Sequence, residues 1–207
     1  MIAIKSTLIK TTLKKTTATK YPVLLRCLHW VIAACIITMI ALGWRMSELG
    51  YEATGYQVLY RWHGTIGLLL LPLGVAQLIA YSMLPRPALA ENIQGWSRVL
   101  ARFVHLFLLY AVVALPVAGY FMSGKYIVLI DGTSVPPIID LSRTITKALF
   151  DLHVQTACTV AAVVALHAAA ALTHHFIDKD DTLRKILRCM RRGRRVVPAP
   201  TRHAPAP

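Results

Sequence analysis

Four of the eight histidines in this 207-residue chain crowd one stretch, residues 151–187, DLHVQTACTVAAVVALHAAAALTHHFIDKDDTLRKIL. His153 and His167 lie inside an apolar run long enough to cross a bilayer, about 20 residues, and His174 and His175 stand where it ends. An ionisable residue in a membrane span is costly and rarely faces lipid, so each is a candidate functional residue. Fourteen helical residues rise about 21 Å and complete close to a whole number of turns. The spacing therefore sets His153 and His167 on one face, one toward each side of the membrane. Two metal sites stacked across the bilayer would use that arrangement; two core histidines bonded to neighbouring helices are the plain alternative.

The rest of the chain must supply partners for these residues. It is 56% hydrophobic and only 15% charged, the balance of an integral membrane protein. The net charge of +14 does not indicate nucleic acid. Its basic residues gather in the tails and one loop, and the apolar runs between leave no room for a soluble nucleic-acid-binding fold. Cys27, Cys35, Cys158 and Cys189 form no C-x-x-C pair, zinc spacing or haem-attachment motif, and read as packing or reduced tail residues. Residues 1–20 form a basic tail with no acidic residue. The following apolar run is too long for a signal-peptide core, so the tail is expected to be retained.

Four spans are expected: 23–44 with His29, 62–84 with His63 and a kink at Pro72, 99–122 with His105 and Pro116, and the run from 151 onward. Trp44 reads as an interfacial anchor. Between the spans lie loops at 45–61, 85–98 and 123–150, and an Arg-rich, Pro/Ala-ending tail follows. The N-terminal tail, second loop and C-terminal tail carry most of the basic residues, which predicts both termini on the cytoplasmic side. The basic tails also suit an anionic lipid leaflet.

Topology then sorts the histidines by depth. His63 and His153 open spans that start on the outer side, while His29, His105 and His167 belong to the inner half. Two imidazoles do not complete a usual zinc site. No acidic residue lies beside them for a non-haem iron or copper site. Two axial imidazoles do suffice for haem, and filling both positions favours electron transfer over gas binding. A small residue follows four of these histidines by one turn: Ala33 after His29, Gly67 after His63, Ala157 after His153 and Ala171 after His167. Residues four apart share a helix face, so a groove is open beside each, although small residues are common at membrane helix contacts in any case. Bulky Leu109 follows His105, which sets that histidine apart.

The segments KYPVLLRCLHW, WHGTIGLLLLP, LARFVHLFLLYAVVALPVAGYFMSG and LHAAAALTHHFIDKDDTLRKIL together resemble the bacterial cytochrome b561 family of dihaem membrane cytochromes, related to hydrogenase cytochrome b subunits. The resemblance implies an all-α, integral membrane four-helix up-down bundle with two haems b in its core. That domain spans residues 21–187, between tails at 1–20 and 188–207. It implies His29 and His167 as axial iron ligands of an inner haem, and His63 and His153 of an outer one. It further implies ubiquinone as substrate or bound cofactor near the inner haem, at His105 and His174. Histidine suits that role because it can bond a carbonyl oxygen and pass a proton near neutral pH. His175 reads as an interfacial residue in water. The family often has a second-span arginine that pairs with a haem propionate; Gln77 stands there, leaving Arg26, Arg98 or Arg102 for the task.

The electron donor stays open among three classes. A branch of the family oxidises superoxide to dioxygen and reduces ubiquinone. Arg45, Arg61, Lys125, Arg143 and Lys147 on the outer loops could steer such an anion, though Glu48, Glu52, Asp131, Asp140 and Asp151 nearly cancel them. Service to a separate periplasmic redox protein, as a plain electron carrier, is the second class. Or it is the haem-bearing membrane anchor of a larger enzyme such as a hydrogenase.

Overall fold

The computed structural model describes residues 21–85, 95–179 and 182–187. The expected tails at 1–20 and 188–207, the middle of the second loop and Cys189 lie outside the described residues. The described chain forms helices α1 (Val23–Leu49), α2 (Tyr56–Met83), α3 (Gly95–Met122), α4 (Arg143–Phe176) and short α5 (Thr182–Leu187), with strands β1 (Ile127–Val128) and β2 (Ser134–Val135) between α3 and α4. The four long helices are each long and apolar enough to cross a membrane. Among the described residues the close seams run α1–α2, α2–α3 and α3–α4, the neighbour order of an up-down bundle.

The spans outrun the apolar segments that reveal them in the sequence. Beyond Trp44, α1 continues to Leu49: Arg45 pairs with Glu48 at 3.1 Å and the Trp44 indole donates to Glu48 at 2.7 Å. Side chains three and four apart support a helix outside the bilayer. The expected loop 45–61 therefore shrinks to the connection between Leu49 and Tyr56. Likewise α4 starts at Arg143, eight residues before 151, because the Ser142 hydroxyl caps it by accepting from the Ile145 N–H and Lys147 pairs with Asp151 at 3.0 Å. Pro72 and Pro116 are carried inside continuous helices.

Few side chains are buried, as expected where the outward faces meet lipid. A core cluster of Ile32, Leu70 and Val112 is joined by Cys35, Ile36, Met39, Ile66, Leu73 and Val113. At Gly74 the α2 and α3 backbones approach so closely that a Cβ would collide with Val112 Cγ1 and lie 3.1 Å from the Val112 carbonyl oxygen. Gly74→Ala gains up to about 1 kcal/mol of helix propensity but overpacks against backbone that cannot move aside. The expected net loss is about 1–2 kcal/mol, read as a lower midpoint for unfolding in mixed detergent micelles. An unchanged midpoint would show that the seam gives way freely.

The third loop is not structureless. The strands pair antiparallel, Ile127 opposite Val135 and Val128 opposite Ser134, around a turn closed by Gly132 at φ +87°. Ile127 is buried, with its Cγ2 2.9 Å from where a Gly64 Cβ would stand, and the Ile130 N–H donates to Thr65 Oγ1 at 3.0 Å. This hairpin thus covers the start of α2 beside His63. At the opposite end, the Trp30 indole N–H donates to the Ile186 carbonyl at 3.2 Å and ties α5 to α1.

Candidate functional site

Two histidine clusters lie in the bundle, about 21 Å apart along α4 by helix rise. The first joins His63 of α2 with His153 of α4, whose ring centroids are 6.3 Å apart with planes at 66°. Two imidazoles on opposite sides of one metal, each nitrogen about 2 Å from it, set their centroids about 6 Å apart. The His63 Nδ1 is buried and without a hydrogen-bond partner among the described residues, while the His153 ring lies beside the Leu115 backbone. A buried polar atom left unsatisfied costs about 1–3 kcal/mol, so the unpartnered His63 nitrogen, on a ring that faces a second imidazole, marks a site that wants a ligand. Glycines from the other two helices flank them. A Cβ at Gly43 would lie 3.7 Å from His63 Cε1, and one at Gly119 would lie 3.2 Å from His153 Cε1. The donor set and this clearance fit a group held between two imidazoles.

The second cluster holds three histidines. His105 of α3 meets His167 of α4 edge to face, with centroids 5.2 Å apart and planes at 84°. His29 of α1 lies within electrostatic reach of both and packs edge-on against Trp30 at 5.3 Å. The His105 Nδ1–H donates to the Ala101 carbonyl oxygen at 2.6 Å, which leaves Nε2 as the ring nitrogen open to another partner. His29, His63, His153 and His167 are half-buried, as are the small residues one turn after them, whereas His105 is exposed. That division matches the one the small residues drew in the sequence. One of the four grooves is already lined: the Met39 methyl lies 3.5 Å from where a Gly67 Cβ would stand.

His174 sits two turns beyond His167, near the end of α4, with Nδ1 2.9 Å from Asp178 Oδ2. His175 packs edge-on against Phe176. Of the three arginines named for anchoring, Arg26 is buried, Arg98 half-buried and Arg102 exposed; the Gln77 Oε1 is buried without a partner. Near the His63 end, Arg45 and Lys147 are taken up by Glu48 and Asp151. Asp131 accepts from the Thr133 N–H at 2.9 Å and its hydroxyl at 3.0 Å, which holds its carboxyl below the usual range. Arg61, Lys125 and Arg143 are exposed and in no ion pair among the described residues.

Sequence reasoning missed Gly43 and Gly119. Their signal was a small residue on a helix without a histidine at that depth, which only the folded bundle brings against a ring.

Comparison with known proteins bears on the whole bundle. Residues 20–188 match the family profile described as prokaryotic cytochrome b561. The chain is 32% identical over 174 residues to cytochrome b561 homolog 2 of Escherichia coli (strain K12), covering 83% of this chain and 93% of that protein. It is 27% identical over 167 residues to cytochrome b561 homolog 1 of the same organism, covering 77% and 92%. It is 25% identical over 174 residues to the probable superoxide oxidase CybB of Yersinia pestis, covering 81% and 96%.

Proposed function

The chain belongs to the prokaryotic cytochrome b561 family of membrane electron carriers with b-type haem, and we propose that it moves electrons across the bacterial inner membrane from superoxide to ubiquinone, using two haems b per chain. The observation that carries this reading is the facing pair of half-buried histidines, His63 and His153, with ring centroids 6.3 Å apart. Bound haem supplies one-electron oxidation and reduction of its iron.

The chain's own residues do the rest. His63 and His153 would hold the outer haem, His29 and His167 the inner one. Two imidazoles per iron would leave no open position, which suits electron transfer rather than gas binding. Gly43 and Gly119 keep side chains away from the outer rings. Both termini lie in the cytoplasm, following the basic residues of the tails and second loop. Ubiquinone binds on that side. There His105, fixed by its Nδ1–H bond to the Ala101 carbonyl, has Nε2 to take up a cytoplasmic proton and donate it to a quinone oxygen, and His174, paired with Asp178, offers a second proton-handling group near the surface. The overall reaction balances: two superoxide anions each give up one electron and leave as dioxygen, and one ubiquinone takes two electrons and two cytoplasmic protons to become ubiquinol.

Support for superoxide comes from the name of the Yersinia relative and from Arg61, Lys125 and Arg143, exposed cations near the His63 end that are in no ion pair among the described residues. One observation favours a rival. The pairs Arg45–Glu48 and Lys147–Asp151 cancel charge locally, and the nearly neutral outer face that results suits a protein donor, such as a periplasmic oxidoreductase of the hydrogenase kind that this chain would anchor. The test supplies purified protein in detergent with ubiquinone and a superoxide-generating system. Ubiquinol should form, the rate should fall as ionic strength rises, and Arg61→Gln or Lys125→Gln should each slow it about two- to tenfold. Haems that stay oxidised under a superoxide flux yet reduce with a periplasmic donor protein would assign the chain to the carrier reading.

A further inference from the structure

Arg26 is the one buried charged residue among the described residues, 6% exposed, and its Nε and Nη1 have no hydrogen-bond partner. A guanidinium cannot shed its proton at accessible pH. Left unpaired in a low-dielectric setting it is strongly unfavourable, so a structure that buries it implies an anion beside it. The described chain offers none. Its acidic residues are Glu48, Glu52, Asp131, Asp140 and Asp151, all toward the far end of the bundle, and Asp178, engaged by His174.

The position of Arg26 says which anion would fit. Arg26, His29 and Ala33 recur at intervals of three and four, which puts them on one stripe of α1, and Leu25 and Ile32 beside that stripe are buried. Val23, Leu24, Cys27 and Trp30 face outward. The guanidinium therefore points with His29 into the bundle and away from the lipid-facing side, one turn closer to the end of the helix. On α2, Gln77 has an unpartnered buried carbonyl oxygen and brings no positive charge.

We propose that Arg26 binds a propionate carboxylate of the haem held at His29, the residue of this chain that neutralises that acid. The inference rests on the dihaem reading above. A carboxylate accepts two parallel N–H bonds from a guanidinium, a fit that lysine cannot reproduce.

The test uses the purified haem-loaded protein, made with wild-type, Arg26→Gln and Arg26→Lys chains and with haem isotopically labelled at its propionate carbons. Redox-difference infrared spectra and potentiometric titration are read together. In Arg26→Gln a labelled carboxylate band should shift, and the midpoint of one haem should fall, because removing a nearby positive charge favours ferric iron. The other haem should be unchanged. Transfer of that haem to apomyoglobin should be at least about tenfold faster. Arg26→Lys should restore most of the midpoint but not the band. The infrared comparison needs only the lysine variant, should the glutamine variant fail to fold. Unmoved carboxylate bands in both variants overturn the inference and leave the dihaem reading intact. So does an Asp180→Asn/Asp181→Asn chain that reproduces the midpoint change without moving the bands, since Arg26 then serves the chain's own carboxylates. A midpoint that follows the anionic lipid content of nanodiscs equally overturns it in favour of a lipid phosphate. A wild-type protein that binds no haem removes both readings at once.

Discussion

In His63→Ala one of two b-type spectral components disappears and the other remains, and the pyridine haemochrome yield falls to about half. His153→Ala gives the same result. The expectation follows from the isolation of this cluster. His63 and His153 meet only each other among the described histidines, at 6.3 Å. The second cluster lies about 21 Å away along the same helix, beyond the reach of a side-chain substitution. A single imidazole holds haem far less well than two, so either change should empty the site rather than weaken it by degrees. The remaining bundle should stay folded, because the core at Ile32, Leu70 and Val112 involves neither residue. Circular dichroism of the variant checks that point. Loss of both components from a folded variant, or retention of both, would show that His63 and His153 do not hold a haem of their own.

Much of this was legible before any coordinates. The fourteen-residue spacing of His153 and His167 on an apolar run needs only helix geometry to place them at two depths, and the structure gives each a histidine neighbour from another helix. The small residues at 33, 67, 157 and 171 were readable as well, since residues four apart share a face. Other features could not be read this way. Helix ends beyond the membrane depend on single pairs such as Arg45 with Glu48 and on the Ser142 cap, and hydrophobicity says nothing about either. The hairpin at 127–135 rests on Ile127 finding a glycine, Gly64, on another helix. The choice among Arg26, Arg98 and Arg102 turns on burial, and only packing separates 6% exposure at Arg26 from the open position of Arg102.

The second cluster is where sequence and geometry pull in different directions, and substitutions there have the next largest effect. His29→Ala and His167→Ala are each expected to abolish the component that survives in His63→Ala. His105→Ala should keep that component and slow quinone-dependent haem oxidation about a hundredfold. The case against His105 as a ligand has three parts. It is exposed while the other four are half-buried, Leu109 fills the face one turn on, and its rings-apart distance of 5.2 Å to His167 is shorter than the about 6 Å of two imidazoles on opposite sides of one metal. The case for it is that same nearness to His167. Its bond to the Ala101 carbonyl suits either role, because an imidazole fixed through Nδ1 can offer Nε2 as a lone pair to a metal or, carrying a proton, as a donor to a quinone oxygen. Spectra decide where geometry does not. If His105→Ala abolishes the component and His29→Ala spares it, the ligands are His105 and His167. His29, beside Trp30 and one turn from Arg26, would then be left to the quinone.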